Sequence, residues 1–138
     1  MATEKSSPAL KVGFHVNIED RTEKNEYFRE VLYTGAHSQL VVMSLKPGEE
    51  IGLETHGDRD QFIRIEEGRG KAILSGQEIA IEKDSALVIP AGIEHNVINT
   101  SADEALKLYT IYSPPEHADG TIHKTKAEAQ AAEASHKH

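Results

Sequence analysis

Turn residues interrupt this chain about every 8–12 positions up to Tyr112, and before residue 120 no stretch has the length and period of a long amphipathic helix. What lies between the turns is short and rich in β-branched residues. Val12 to Ile18 alternates as Val12, Phe14, Val16 and Ile18, the pattern of a half-buried strand. Tyr27 to Thr34 follows, then the nearly all-apolar Gln39 to Leu45, which stops at Lys46-Pro47-Gly48. Ile51 to His56 and Gln61 to Glu66 read as strands joined by residues 57–60. Lys71 to Leu74 and Glu78 to Ile81 flank Ser75-Gly76-Gln77 as a hairpin. Ala86 to Ile89 runs into Pro90-Ala91-Gly92, and His95 to Asn99 and Ala105 to Tyr112 complete the set. Such spacing predicts an all-β sandwich or barrel.

The ends differ from the middle. Residues 1–9 read as a disordered arm and 10–115 as the barrel, with 116–138 a C-terminal extension. Pro114-Pro115 stops the last strand. Thr125-Lys126-Ala127-Glu128 has the form of a capping box, and Ala127 to Ala134 favours helix. That helix has no large apolar side chain to dock, so it is expected to be short and frayed.

Composition narrows the functions. At 138 residues the chain is the size of one domain, and it has no cysteine, so disulfides and thiolate metal sites are excluded. A formal net charge of −8 with no basic stripe disfavours nucleic acid and anionic membranes as partners. No apolar run reaches the roughly 20 residues of a membrane helix, and Met1 to Pro8 lacks the apolar centre of a signal peptide. A cytoplasmic protein acting on a small molecule is the expectation.

The residues with chemistry converge. Glu54 and His56 are two apart and share a strand face. Gln61 opens the next strand, with Ile63 and Ile65 on its side. His95 follows Pro90-x-Gly92, with Val97 and Asn99 on its side. Two imidazoles, one carboxylate and one amide oxygen suit a divalent transition metal. Gln61 would instead hydrogen-bond Glu54 or a bound water if it is not a ligand. The face Leu106, Leu108, Thr110, Tyr112 suits the interior and makes Tyr112 a pocket residue, because the other register would turn Lys107 inward. His15 and His37 read as structural or surface residues, and His136 and His138 belong to a loose tail. His117 and His123 flank Ala118-Asp119-Gly120, a stretch that is either an exposed linker or a fold-back over the barrel mouth. Asn99 is expected to cap a turn.

Gly48-x5-Glu54-x-His56-x4-Gln61-x6-Gly68, followed by Pro90-x-Gly92-x2-His95-x3-Asn99, resembles the two motifs of the cupins. The resemblance covers roughly residues 40–112. It implies a double-stranded β-helix (a jelly-roll barrel) and a metal held by Glu54, His56, Gln61 and His95. Three positions depart from the usual pattern. Glu54 stands where the first histidine is usual, Gln61 where the glutamate is usual, and Asp84 where a glycine opens the second motif. Asp tolerates a left-handed turn, so the fold is expected to survive that change. The segments Asp60-Gln61-Phe62, Lys107-Leu108-Tyr109-Thr110 and Tyr112 to His117 are similar to small bacterial cupins labelled mannose-6-phosphate isomerase-like.

Three functions are compatible with this reading. The first is a metal-dependent isomerase of a small, sugar-like hydroxy-carbonyl compound, with Glu54 or His117 as base and Tyr112 in the pocket. The second is a dioxygenase built on Glu54, His56 and His95. The third is a non-catalytic binding module. The ligand set accepts Zn, Mn, Fe, Ni, Co or Cu alike. Arg59 and Arg64 are the only nearby cations that could meet a phosphate. The resemblance also implies a homodimer, for which Val31, Leu32 and Leu40 to Met43 are interface candidates.

Overall fold

A computed structural model describes residues 11–136, so the expected arm at 1–9 lies outside the described residues, as does His138. Two helices and nine strands follow the order α1 (Ile18–Lys24), β1 (Arg29–Thr34), β2 (Gln39–Leu45), β3 (Asp60–Glu67), β4 (Arg69–Leu74), β5 (Gln77–Glu82), β6 (Ala86–Ile89), β7 (His95–Asn99), β8 (Leu106–Ser113), β9 (Ile122–His123) and α2 (Lys126–His136). One sheet runs β6-β3-β8-β2-β1-β9 and the other β5-β4-β7, with antiparallel pairing throughout. This is the architecture expected of a double-stranded β-helix, closed by a short C-terminal helix. Among the described residues no helix is long and apolar enough to cross a membrane.

Alternation decides what the two sheets enclose. Val41, Met43 and Leu45 of β2, Ile63 and Ile65 of β3, Val97 of β7, and Leu106 and Leu108 of β8 meet in one core cluster. Burying each such side chain is worth about 1.5–3 kcal/mol. Close approach is needed where β4 crosses β7, and Gly70 permits it: a Cβ there would lie 2.2 Å from the Ile98 carbonyl oxygen. The β4–β5 turn uses positive φ at Ser75 and Gly76, and Asp84 adopts φ 76°, as expected for a residue replacing glycine.

Strand β2 is apolar on both faces because α1 covers the outside. Here the expected strand at Val12 to Ile18 is corrected. Residues 11–17 form no strand, Val12 is fully exposed, and Ile18 begins a helix. The cause is local. The Asn17 side chain accepts from the Asp20 N–H at 3.0 Å and caps the helix, and Glu19 and Asp20 complement its positive end. Lys107 does face away from the core, yet α1 buries it. Its ammonium donates to the Glu23 carbonyl at 2.8 Å and to Glu26 at 3.4 Å.

The second correction concerns Ile51 to His56, which is not a continuous strand. Gly52, at φ 118°, interrupts it, and its N–H is taken by the Asn96 side chain at 2.8 Å. Single bridges, Glu50 to Ile98 and Glu54 to His95, hold the segment along β7. Of the interface candidates, Val31, Val41, Val42 and Met43 are buried within the chain itself, and Leu32 and Leu40 are half-buried.

Candidate metal centre

The site lies at one end of the barrel, where four separate segments stop close together. Glu54 is fixed by a reciprocal backbone pair with His95, each N–H donating to the other carbonyl at 2.9 Å. The His56 carbonyl accepts from the Gly92 N–H at 2.8 Å, and Asp60 accepts from the Ala91 N–H at 2.9 Å. The Pro90-x-Gly92 turn therefore clamps the loop that carries His56. Gln61 opens β3 and His95 opens β7, both pointing inward and both nearly fully buried.

The side chains then meet. Glu54 Oε1 lies 3.3 Å from His56 Nε2 and 4.0 Å from His95 Nε2. One ligand atom from each of these three residues lies within 4.8 Å of the others. The two imidazoles sit 5.2 Å apart, centroid to centroid. The departure at position 54 thus keeps a ligand-capable atom where a histidine is usual.

Whether these groups fit a cation is answered by what they leave open. His95 Nδ1 donates to the Ile93 carbonyl at 2.9 Å, which places its lone pair on Nε2. That Nε2 is buried without a partner, and so is His56 Nε2. Gln61 donates through Nε2 to Thr110 Oγ1 at 3.0 Å, leaving its buried Oε1 without a partner. Buried acceptors are almost always satisfied, so three open ones beside a carboxylate fit a cation. Glu54, His56 and His95 would hold it, with the Gln61 carbonyl beside them.

Charges tune the surroundings. The Glu54 carboxylate beside it raises the His56 pKa above the ordinary value, against the lowering effect of burial. Tyr112, from β8, sets its ring edge-on to His56 at 5.9 Å and to His117 at 5.3 Å. Burial pushes its phenol up, so it stays protonated.

Residues 116–123 fold back over the barrel, with the 118–120 turn exposed and Glu116, His117 and His123 half-buried. Gln39, 1% exposed at the start of β2, accepts from the Glu116 and His117 N–H groups and donates to the His117 carbonyl at 2.7 Å. The chain folds back over the mouth and ends in β9, paired with β1. His117 becomes a cavity wall whose Nε2 is buried and unpartnered, and burial, reinforced by the Arg29 charge, lowers its pKa to about 3. His123 is also lowered, by burial and by Arg29.

Helix α2 completes the rim. The first half of the capping box forms, Thr125 Oγ1 accepting from the Glu128 N–H at 3.1 Å, while the Glu128 carboxylate accepts from the Lys124 N–H, one residue before the cap, at 2.7 Å. With no large apolar residue to dock, the helix seats on the barrel through Ala129, which is buried. The cavity so enclosed measures about 500 Å³, with Glu54, His117, Arg29 and α2 in its wall.

The arginines expected near the site are engaged. Arg59 binds Glu116, the Pro115 carbonyl and Asp58, and Arg64 pairs with Asp84 on the outer face at 2.8 Å. His15 and His37 are exposed and distant from the centre, as expected. Asn99 caps the turn after β7, accepting from the Ser101 N–H at 2.9 Å. Two participants were not foreseen in the sequence, Gln39 and Arg29. Arg29 was detectable in principle, because it alternates with Val31 and so falls on the apolar face of its strand.

Comparison with known proteins places this geometry. The cupin-domain family model matches residues 41–112, which contain Glu54, His56, Gln61 and His95. The chain is 52% identical over 126 residues to the uncharacterized protein YrkC of Bacillus subtilis (strain 168), covering 87% of this chain and 67% of that one. It is 47% identical over 110 residues to the uncharacterized protein L612 of Acanthamoeba polyphaga mimivirus, covering 78% and 69%. Among solved structures, BH2720 from Bacillus halodurans superposes with a TM-score of 0.83 at 48% identity, over 86% of this chain and 93% of that one. The glutamate at 54 and the glutamine at 61 are therefore variations on a known barrel, and the chain belongs to the cupin family.

Proposed function

We propose that the protein is a metal-dependent isomerase of a small hydroxy-carbonyl compound, sugar-like in its reacting part. The observation that carries this is the set of three buried, unpartnered atoms on His56, His95 and Gln61, gathered beside Glu54, which itself lines a cavity of about 500 Å³. A divalent ion held there would supply Lewis-acid polarisation of a bound carbonyl. The similarity to mannose-6-phosphate isomerase-like cupins supports the same class.

The chain's own residues do the remainder. Glu54 lies in the cavity wall and, with a carboxylate oxygen left free by the ion, would take the proton from the carbon beside the carbonyl and return it to the neighbouring carbon. The hydroxyl proton crosses to the former carbonyl oxygen, so no oxidant or reductant is consumed. His117 serves differently from the base the sequence suggested. With a pKa of about 3 it cannot hold a proton near neutrality, so its imidazole acts as a neutral acceptor that orients a substrate hydroxyl. Tyr112 keeps both imidazole rings in place by its edges. Residues 116–118 and α2 limit access of water to the mouth.

The test is incubation of metal-loaded protein with small aldoses, ketoses and hydroxy-oxo acids in deuterated water. Incorporation of deuterium beside the carbonyl without oxygen consumption is the expected result. Oxygen uptake by the iron form would replace this reading with the dioxygenase that a two-His-one-carboxylate set permits. Tight binding with no exchange in any metal form would leave a binding module.

A further inference from the structure

Arg29 has no role in the proposal above, yet it is the most unusual charge in the barrel. It begins β1, opposite Met43 on β2 and His123 on β9, and shares the inward face with Val31. It is 8% exposed and stacks on the Phe28 ring, with the guanidinium carbon 5.2 Å from the centroid. Among the described residues its only polar side-chain partner is His123 Nδ1, at 3.2 Å, and its Nε is buried with no partner at all. No carboxylate forms an ion pair with it among the described residues. Of the acids in the cavity wall, Glu116 is paired with Arg59, Glu54 faces His56, and Glu133 is an exposed residue of α2.

A buried guanidinium without an ion-pair partner is costly to desolvate. That cost is recovered when an anion arrives. Arg29 lines the same cavity as Glu54 and His117, so the arriving group is part of whatever occupies that cavity. Its charge also depresses His117 and His123, as an uncompensated cation would. The planar fork of arginine fits a carboxylate with two parallel hydrogen bonds. A phosphate dianion would bring a second negative charge toward Glu54 and Glu116, with the half-buried Lys126 of α2 as the other cation in the wall.

We propose that Arg29 forms a carboxylate-binding subsite in the mouth cavity, so that the substrate is a small hydroxy-oxo acid rather than a neutral or phosphorylated sugar. The inference rests on the mouth cavity being the substrate site, but not on the metal. His123, hydrogen-bonded to Arg29, positions the guanidinium and ties the subsite to β9.

The experiment titrates the full chain, as purified and again after chelation of metal, with pyruvate, pyruvamide and inorganic phosphate. Affinity is read by calorimetry and the Arg29 Nε–H resonance by NMR. Pyruvate is expected to bind and move that resonance, with pyruvamide weaker by about tenfold or more. Arg29→Gln is expected to weaken pyruvate by about ten- to a hundredfold, and Arg29→Lys by less. Equal binding of pyruvate and pyruvamide, tighter binding of phosphate, or an unmoved Nε–H would each overturn the assignment. If Arg29→Gln does not fold, the pyruvate-to-pyruvamide ratio and the resonance in the unsubstituted protein still decide. Because the chelated protein is titrated too, a carboxylate response without metal survives failure of the metal reading. A normal metal content with no carboxylate response removes only the subsite.

Discussion

Strand β7 carries a buried polar residue at each end, and the two ends treat it in opposite ways. Asn99, at the far end, is 1% exposed and fully bonded. Its Nδ2 donates to the Leu45 and Glu104 carbonyls at 3.0 and 2.8 Å, and its Oδ1 accepts from the Ser101 N–H at 2.9 Å. His95, at the mouth end, is 4% exposed and bonded on one nitrogen only. The same asymmetry runs across the barrel. Among the described residues the buried orphans cluster at the mouth, on Arg29, His56, Gln61, His95 and His117, with Thr22 and Arg64 outside the group. Five of the seven orphaned side chains thus gather at the mouth, where a ligand would close their hydrogen bonds, while the far end of β7 closes its own.

Substitution at the two ends should separate these roles. The largest effect is expected at the mouth. His56→Ala or His95→Ala should lower metal affinity by about a hundredfold or more, beyond the 10–100-fold typical of losing an outer partner. Elemental analysis after dialysis checks this, with exposed His37→Ala as the control that retains metal. Equal metal content in all three proteins would remove the centre. At the far end, Asn99→Ala strips three buried bonds at once and leaves two carbonyls and one N–H without partners. A loss of about 3 kcal/mol in folding stability is expected, read by urea denaturation, with metal content per folded molecule unchanged. Metal loss without destabilisation would reverse the roles assigned to the two ends.

Gln61→Leu stands between these cases and also shows what the sequence could reveal. Because Gln61 makes a single side-chain hydrogen bond, to Thr110, its loss should change stability by no more than about 1 kcal/mol while weakening metal binding about tenfold. Strong destabilisation would mean that Gln61 is a structural residue like Asn99. The inward direction of Gln61 was legible from its alternation with Ile63 and Ile65, and the meeting of Glu54, His56 and His95 from the motif spacing. Strands β2, β6 and β7 ran over the residues expected. The alternation at Val12 to Ile18 misled, because a capping asparagine can start a helix inside any apolar pattern. Residues 116–123 gave no periodic signal, since their position is set by Gln39, 77 residues away from Glu116 along the chain. Arg29 is covered by β9, a pairing across 94 residues of chain that no local pattern reports. An unpartnered atom is a property of three-dimensional neighbours, and no spacing rule reports it.

The smallest effect tests whether an imperfectly paired group always signals function. Glu66 lies toward the far end of β3, beneath α1, and is 4% exposed, with Arg64 Nε 4.0 Å away. Burial raises its pKa, opposed in part by Arg64. The sign follows from proton binding: the folded state holds this proton to a higher pH than the unfolded state does. Stability therefore falls as pH rises from 4.5, the ordinary value, through the raised folded value, and then levels off. Glu66→Gln removes the ionising group, so it should flatten this part of the pH–stability curve and raise stability near neutrality by less than about 1 kcal/mol. Metal content should not change. A steeper curve in Glu66→Gln would show that the carboxylate is stabilised by Arg64 more than it is penalised by burial, and would make Glu66 a closed structural residue of the same kind as Asn99.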